Sequence, residues 1–162
     1  MALNKQNLER LRFFDNIITF NFIDLSFTLI KRKLLRQWVV STVVQENFSC
    51  GVINFNFCSD EYLLKLNRKH LNHDYYTDII TFDLGEAGLI SGDIYISVDR
   101  VKDNAKQNNT PFAKELHRVM VHGILHLCGY KDSSINEKRL MRNKENKHLA
   151  KLDLFSRENT HK

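Results

Sequence analysis

The stretch that decides the fold is TPFAKELHRVMVHGILHLCGYKD, residues 110–132. Apolar residues recur in it at spacings of three and four, which predicts an amphipathic helix. Thr110 is the expected N-cap and Pro111 the first helical residue, a position that proline tolerates well. Gly129 is expected to end the helix in a left-handed conformation.

Two histidines on this helix point to a metal ion. His122 and His126 are four residues apart, so their imidazoles lie about 40° apart around the helix axis and one turn apart along it. Gly129 allows the chain to reverse, and Asp132 follows three residues later. The pattern HxxxHxxGxxD resembles that of metzincins and predicts three protein ligands with an open position for water. The predicted ligands are His122, His126 and Asp132.

Other residues near this pattern offer alternatives. Cys128 could supply a thiolate, but two residues after His126 it should point to another side of the helix. If Asp132 is not a ligand, a downstream histidine such as His148 is a further candidate. The histidines could also be surface residues of an amphipathic helix. Glu115 and Arg118, on the same stripe as His122, are expected to form a solvated or salt-bridged face.

The residue after the first histidine argues against a peptidase. Zinc peptidases of the HExxH type place a glutamate general base there, whereas this chain has Gly123. A metal ion alone can still activate water and stabilise an anionic transition state, which suits phosphodiester hydrolysis. A metalloprotease is therefore the weaker prediction.

Periodicity along the rest of the chain predicts an α+β fold in the order βαβαββααα. Alternating residues indicate strands near 18–22, 53–57, 79–82 and 92–97. Spacings of three and four indicate helices over about 27–45 and 98–108, and from Ser59 onward. The capping box Ser134–Glu137 predicts a last helix that runs to about residue 150.

Length and composition favour one globular domain over residues 1–162. Hydrophobic residues make up 43% of the 162 residues, enough for a core, and no apolar run is long enough for a membrane span. The start of the chain lacks the apolar stretch of a secretory signal. An odd number of cysteines, 3, is poor material for disulfides and favours the reducing cytoplasm.

The charge pattern permits a polyanionic partner. The net charge is +5, and the basic residues are concentrated towards the two ends of the chain while its middle third is acidic. A predicted helix carries four of the basic residues on its exposed side: Lys31, Arg32, Lys33 and Arg36. This side is either a solvated face or a surface that binds a nucleic-acid backbone.

The segment His122–Tyr130, HGILHLCGY, resembles the signature of the YbeY family, bacterial metal-dependent endoribonucleases of rRNA maturation. Three upstream segments resemble the family's other blocks in the same order: Leu66-Asn67, TDIITF at 77–82 and GDIYIS at 92–97. The resemblance covers about residues 15–150.

The resemblance implies a small mixed four-stranded sheet packed with about five helices, and a cleft that holds one Zn²⁺ per chain. It implies a single-strand-specific endoribonuclease in 16S rRNA 3′-end maturation and ribosome quality control, in which metal-activated water hydrolyses the phosphodiester. The implied partners are RNA and the small ribosomal subunit, with a ribosomal protein or GTPase as a further candidate. His122 and His126 take the positions of the family's first two ligands.

Two positions depart from the family pattern. Asp132 replaces the family's third histidine, which lowers the charge of the site by one. Leu71 takes the place of an arginine thought to act on the phosphate, and Arg68, Lys69 or His70 could supply the charge instead.

The candidate catalytic helpers are therefore Arg118, Lys69 and His70, while Arg118, Lys31, Arg32 and Lys33 are candidates for contacts with the RNA backbone. Such contacts predict binding that weakens steeply with salt. The alternative function is a non-catalytic ribosome-assembly factor with a structural metal.

Overall fold

Four strands and five helices make up residues 16–160, the part of the chain that the computed structural model describes. The strands are β1 (Ile18–Phe22), β2 (Ser49–Cys58), β3 (Ile79–Asp83) and β4 (Leu89–Ser97). The helices are α1 (Arg32–Gln45), α2 (Asp60–Leu71), α3 (Val98–Gln107), α4 (Phe112–Leu127) and α5 (Ile135–Thr160). The predicted α+β class and element order are confirmed. None of these helices is both long and apolar enough to cross a membrane.

The sheet is mixed, with the strand order β1-β2-β4-β3. Strands β1, β2 and β4 are parallel, and β3 is antiparallel to β4 at one edge. Alternation gives the sheet an apolar face, where Phe20, Phe55 and Ile94 lie in register and join the main core. On the opposite face Asn54 accepts a hydrogen bond from Thr19 and donates one to Asp93.

Helix α1 begins five residues later than its periodicity predicts. Lys31 precedes the helix in a left-handed conformation, with φ of 55°, so the helix does not extend towards Phe27. The Phe27 ring still joins the core, 5.5 Å from the centroid of Phe57 and 5.9 Å from that of Phe112. The apolar spacing therefore identifies Phe27 correctly as a residue that packs against the core, but this residue lies in a loop before the helix.

The boundaries of two later helices also differ from prediction. Pro111 is the cap residue of α4, and its carbonyl accepts a hydrogen bond from the Glu115 amide. The predicted cap Thr110 has a buried hydroxyl without a hydrogen-bond partner. At α5 the predicted capping box is confirmed, because Ser134 and Glu137 bond each other's backbone amides. This helix continues to Thr160, beyond the predicted end.

Close packing against the sheet fixes the position of α4. A Cβ atom at position 123 would lie 2.8 Å from Ile79 Cδ1 and 3.0 Å from Ile94 Cγ2, so only glycine allows this approach. The helix ends at Leu127, Gly129 follows it with a φ of +97°, and the Tyr130 amide donates back to the Leu125 carbonyl. The chain thereby reverses direction at the end of the helix that carries both histidines.

Candidate metal centre

The three predicted ligands converge beyond the C-terminal turn of α4. His122 Nε2 and His126 Nε2 are 2.9 Å apart, and Asp132 Oδ2 lies 3.3 Å from the first and 3.5 Å from the second. Among the described residues they form a group whose ligand atoms all lie within 4.8 Å of one another. All three side chains are half-buried. Two imidazole nitrogens and a carboxylate are a typical donor set for zinc.

The outer nitrogen of each ring is held by a hydrogen bond. His122 Nδ1 lies 3.0 Å from Glu145 Oε2, and His126 Nδ1 lies 2.9 Å from the carbonyl oxygen of Tyr130. A carbonyl and an ionised carboxylate only accept hydrogen bonds, so Nδ1 of each ring is the donor. Nε2 of each neutral ring then carries the lone pair that a metal requires, and the residues present fit a divalent cation.

The pKa values of the two imidazoles shift in opposite directions. Burial lowers the pKa of His122, but the hydrogen bond and charge of Glu145, with the charges of Asp132 and Asp78, raise it above its usual value. Burial and the neighbouring His122 lower the pKa of His126. The His122 imidazole is therefore the more basic of the two.

Glu145 on α5 is a functional candidate that the sequence did not reveal. Its side chain is buried and accepts a hydrogen bond of 3.1 Å from Arg118. Glu115 lies 3.9 Å from Arg118, so the predicted salt-bridged face is present. Glu145 connects this face to His122, because it contacts both Arg118 and His122. Burial alone would raise the pKa of Glu145, but the contacts with His122 and Arg118 outweigh it and lower the pKa below its usual value. The carboxylate therefore stays charged. No local pattern reveals this contact, because 23 residues separate the partners.

A second cluster forms around Tyr130, in the candidate metal-binding loop of residues 128–132. The Tyr130 hydroxyl donates to Glu46 over 2.6 Å, and Lys144 and His148 bond the same carboxylate over 2.9 and 2.7 Å. Burial raises the pKa of Glu46, but the hydrogen bonds from Tyr130, His148 and Lys144 lower it to about 2. His148, the alternative third ligand, therefore belongs to this cluster and is not brought to the two histidines.

Cys128 is not brought to the metal centre either. It caps the C-terminus of α4 and packs against the hydrophobic core. Burial and the charge of Glu46 raise the pKa of its thiol to about 12, so the thiolate that binds metals is strongly disfavoured.

A cleft with a volume of about 270 Å³ opens beside His126. Strand β3 and the loop after α2 form its walls, and Leu71 lines it. The candidate helpers on α2 lie elsewhere. Lys69 is exposed, and the His70 ring packs edge-on against Phe82 at 5.6 Å; neither lines the cleft.

The basic residues at the start of α1 and just before it contact other parts of the fold. Lys31 hydrogen-bonds Ser156 and lines a pocket with His117, in the first half of α4, whereas the metal-binding histidines lie near its end. Arg32 and Arg36 donate to the carbonyls of Leu29 and Ile18 and cover the rings of Phe22 and Phe20. Lys33 is exposed.

The structure defines an α+β protein whose helix α4 carries a candidate metal site, and comparisons with known proteins give its family. The family model described as Endoribonuclease YbeY matches residues 21–153. The chain belongs to the YbeY endoribonuclease family, as the resemblance implied, and is an endoribonuclease.

Similar proteins span most of the chain. An Endoribonuclease YbeY from Cytophaga hutchinsonii is 52% identical over 78% of this chain and 90% of its own length. Another from Flavobacterium psychrophilum is 48% identical over 86% of this chain and 96% of its own length. The solution structure of TM1509 from Thermotoga maritima has a TM-score of 0.58 at 29% identity and covers 88% of this chain and 93% of that chain.

Proposed function

We propose that this chain is a zinc-dependent, single-strand-specific endoribonuclease that acts in 16S rRNA 3′-end maturation and ribosome quality control. His122, His126 and Asp132 hold one zinc ion per chain. The observation that carries the proposal is the convergence of two imidazole Nε2 atoms and a carboxylate oxygen beside an open cleft. The chain works in the cytoplasm on the small ribosomal subunit, where a ribosomal protein or a GTPase is a candidate partner.

The residues of this chain divide the work between binding and orientation. A bound divalent ion supplies a Lewis acid that activates water for attack on phosphorus and offsets the charge that develops there. Glu145 and the Tyr130 carbonyl hold the two imidazoles in the orientation that presents Nε2 to that ion. Asp132 adds one negative charge, so this site is less electropositive than one made of three histidines.

The surroundings of position 123 support a phosphodiester rather than a peptide substrate. Gly123 packs against Ile79 and Ile94 of the sheet, where no glutamate can stand without displacing them. The general base of the HExxH peptidases therefore has no counterpart at this position.

Exposed cations on α5 suit an RNA backbone, and one of them lies beside the candidate metal centre. Arg142 is 3.5 Å from Glu145, the carboxylate that holds His122. Lys138, Arg139 and Lys147 are exposed on the same helix. Contacts of such residues with phosphates give affinity without sequence preference and weaken as salt rises.

The experiment that tests the function compares the protein with two variants, Asp132→Ala and His126→Ala. Zinc is measured by elemental analysis, and cleavage is followed with labelled single-stranded and double-stranded RNA. Asp153→Ala, which removes an exposed carboxylate of α5, is the matched control. We expect about one zinc per chain in the protein and the control, and weak or no binding in both variants.

The same variants separate the two functions. Loss of RNA cleavage with RNA affinity and folding retained in His126→Ala supports the enzyme. Loss of the fold together with the metal, in a protein that binds but never cleaves RNA, supports the non-catalytic assembly factor. Equal zinc in the protein and in Asp132→Ala would remove Asp132 from the ligand set.

A further inference from the structure

Two aromatic side chains stand at the wall of the cleft beside His126. The rings of His73 and Tyr75 are nearly parallel, with centroids 5.0 Å apart and an interplanar angle of 21°. The Tyr75 hydroxyl is 2.9 Å from His73 Nδ1. Tyr75 is 57% exposed although its ring is large and apolar. Both residues and His126 line the same cleft.

The loop that carries this pair is fixed to α2. The Asn67 carbonyl accepts a hydrogen bond from the His73 amide, and its side-chain amide donates to the Tyr75 carbonyl over 3.0 Å. Arg68 forms an ion pair with Asp74, in the same loop. The backbone on both sides of the rings is therefore already ordered in the free protein. Binding then costs less conformational entropy of this loop.

A second tie holds the far side of this loop. The hydroxyl of Tyr76 donates to Glu61 over 2.6 Å, and the Arg100 guanidinium lies over the Tyr76 ring, 5.1 Å from its centroid. Tyr76 thus faces α2 and α3, whereas its neighbour Tyr75 faces the cleft. Tyr76 therefore anchors the loop, whereas the ring of Tyr75 is accessible from the cleft.

The chemistry of the cleft suits a nucleobase better than a phosphate. Among the residues that the structure describes, its lining contains neither lysine nor arginine, and Leu71, which is 43% exposed, adds apolar surface beside the two rings. Thr77 and Thr81 add hydroxyl groups that can hydrogen-bond to a base edge. Planar bases stack on such aromatic rings, and a base in a duplex is unavailable because its faces are covered.

We propose that His73 and Tyr75 form a stacking platform for one unpaired RNA base, next to the phosphodiester at the metal centre. The proposal rests on the proposed function. It gives the preference for single strands a structural cause, and it assigns the cleft beside Leu71 to base stacking rather than to a cation–phosphate contact.

An abasic scan tests the platform. The zinc-loaded protein is titrated with a labelled single-stranded RNA of about ten nucleotides and with the same RNA carrying one abasic position at each site in turn. Affinity is measured by fluorescence anisotropy in the cold, and a gel verifies that the RNA stays intact. We expect one abasic position to weaken binding about tenfold.

The variant Tyr75→Ala should weaken binding of the complete RNA by about the same factor and should be insensitive to that abasic position. In cleavage assays it should raise KM about tenfold with little change in kcat, because the ring acts on binding rather than on the reacting atoms. Tyr75→Phe, which keeps the ring, should restore most of the affinity. Leu154→Ala, which truncates an exposed residue of α5, is the control and should bind as the protein does.

The platform would be overturned if Tyr75→Ala bound the complete RNA as tightly as the protein does. It would also be overturned if the affinity losses caused by the variant and by the abasic position were additive. Failure of the proposed function gives a different result, namely RNA that the zinc-loaded protein binds but never cleaves. The anisotropy measurements still test the platform in that case.

Discussion

At the scale of single residues, two hydrogen bonds decide which atoms the histidines present. His122 Nδ1 donates a hydrogen bond to Glu145, and His126 Nδ1 donates one to the Tyr130 carbonyl. Both rings are therefore fixed in tautomer and in rotation, and their Nε2 atoms meet beside Asp132. A carboxylate in this role also makes the imidazole a stronger ligand.

Glu145→Gln should lower the affinity for zinc by about tenfold, because it removes the charge that orients His122 and supports its basicity. Competition with a chelating dye measures the affinity. Asp153→Asn on the same helix removes an exposed carboxylate and serves as the matched control. Equal zinc affinity in Glu145→Gln and in the protein would show that the contact does not support the metal.

At the scale of elements, the end of α4 connects the two histidines to the third ligand. Gly129 has a φ of +97°, and a side chain there would meet no atom within 4 Å, so the requirement for glycine is one of backbone conformation alone. Gly88, in the turn between β3 and β4, shares these properties with a φ of +80°. The two glycines form a natural pair for comparison.

Gly129→Ala and Gly88→Ala should each lower the free energy of unfolding by about 1 kcal/mol, because alanine is strained at positive φ. Only Gly129→Ala should also weaken zinc binding, since Tyr130 and Asp132 follow that turn. Urea unfolding of the metal-free proteins measures the first effect, and chelator competition the second. A loss of zinc affinity in Gly88→Ala of similar size would contradict this assignment.

Local signals in the sequence predicted the elements and the grouping of His122, His126 and Asp132, whereas contacts between distant residues were not predicted. His122, His126 and Asp132 lie within one helix and its turn, so spacing alone brings them together. The predicted start of α1 is too early because Phe27 has helical spacing. The left-handed backbone of Lys31, which ends this spacing, cannot be detected from the pattern of apolar residues. Glu145 reaches His122 only once α5 has docked, which periodicity does not describe.

At the scale of the whole molecule, Glu46 joins three distant parts of the chain. It follows α1 and binds Tyr130 of the metal-binding loop and two residues of α5, Lys144 and His148. Its side chain is 3% exposed, so the carboxylate depends on these partners for its charge. The Trp38 indole adds a hydrogen bond of 2.8 Å from α1 to the His148 carbonyl.

The Glu46 carboxylate should make stability depend on pH at the acid end. Its pKa is about 2 in the folded protein against an ordinary 4.5, so its stabilisation is complete above pH 4.5 and is lost as the pH falls towards 2. Glu46→Gln should therefore be less stable than the protein at neutral pH, by up to about 3 kcal/mol, and this difference should shrink across that window. Urea unfolding at a series of pH values measures it.

These experiments are run with a chelator present, so that release of metal in acid does not contribute. Glu86→Gln, which removes an exposed carboxylate in the turn between β3 and β4, is the control. A constant difference in stability between the protein and Glu46→Gln from pH 5 to pH 2 would show that the carboxylate is not held in its charged form by the fold.

The placement of Glu145 and His148 on α5 has a consequence for biosynthesis. A growing polypeptide emerges in chain order, so the two histidines and Asp132 leave the exit tunnel before the helix that orients them. The nascent chain consequently carries a loose set of ligands, and the oriented site forms only after residue 148 has emerged. The site of this endoribonuclease is therefore completed late in synthesis. Until then the nascent chain is held next to the RNA of the ribosome that translates it.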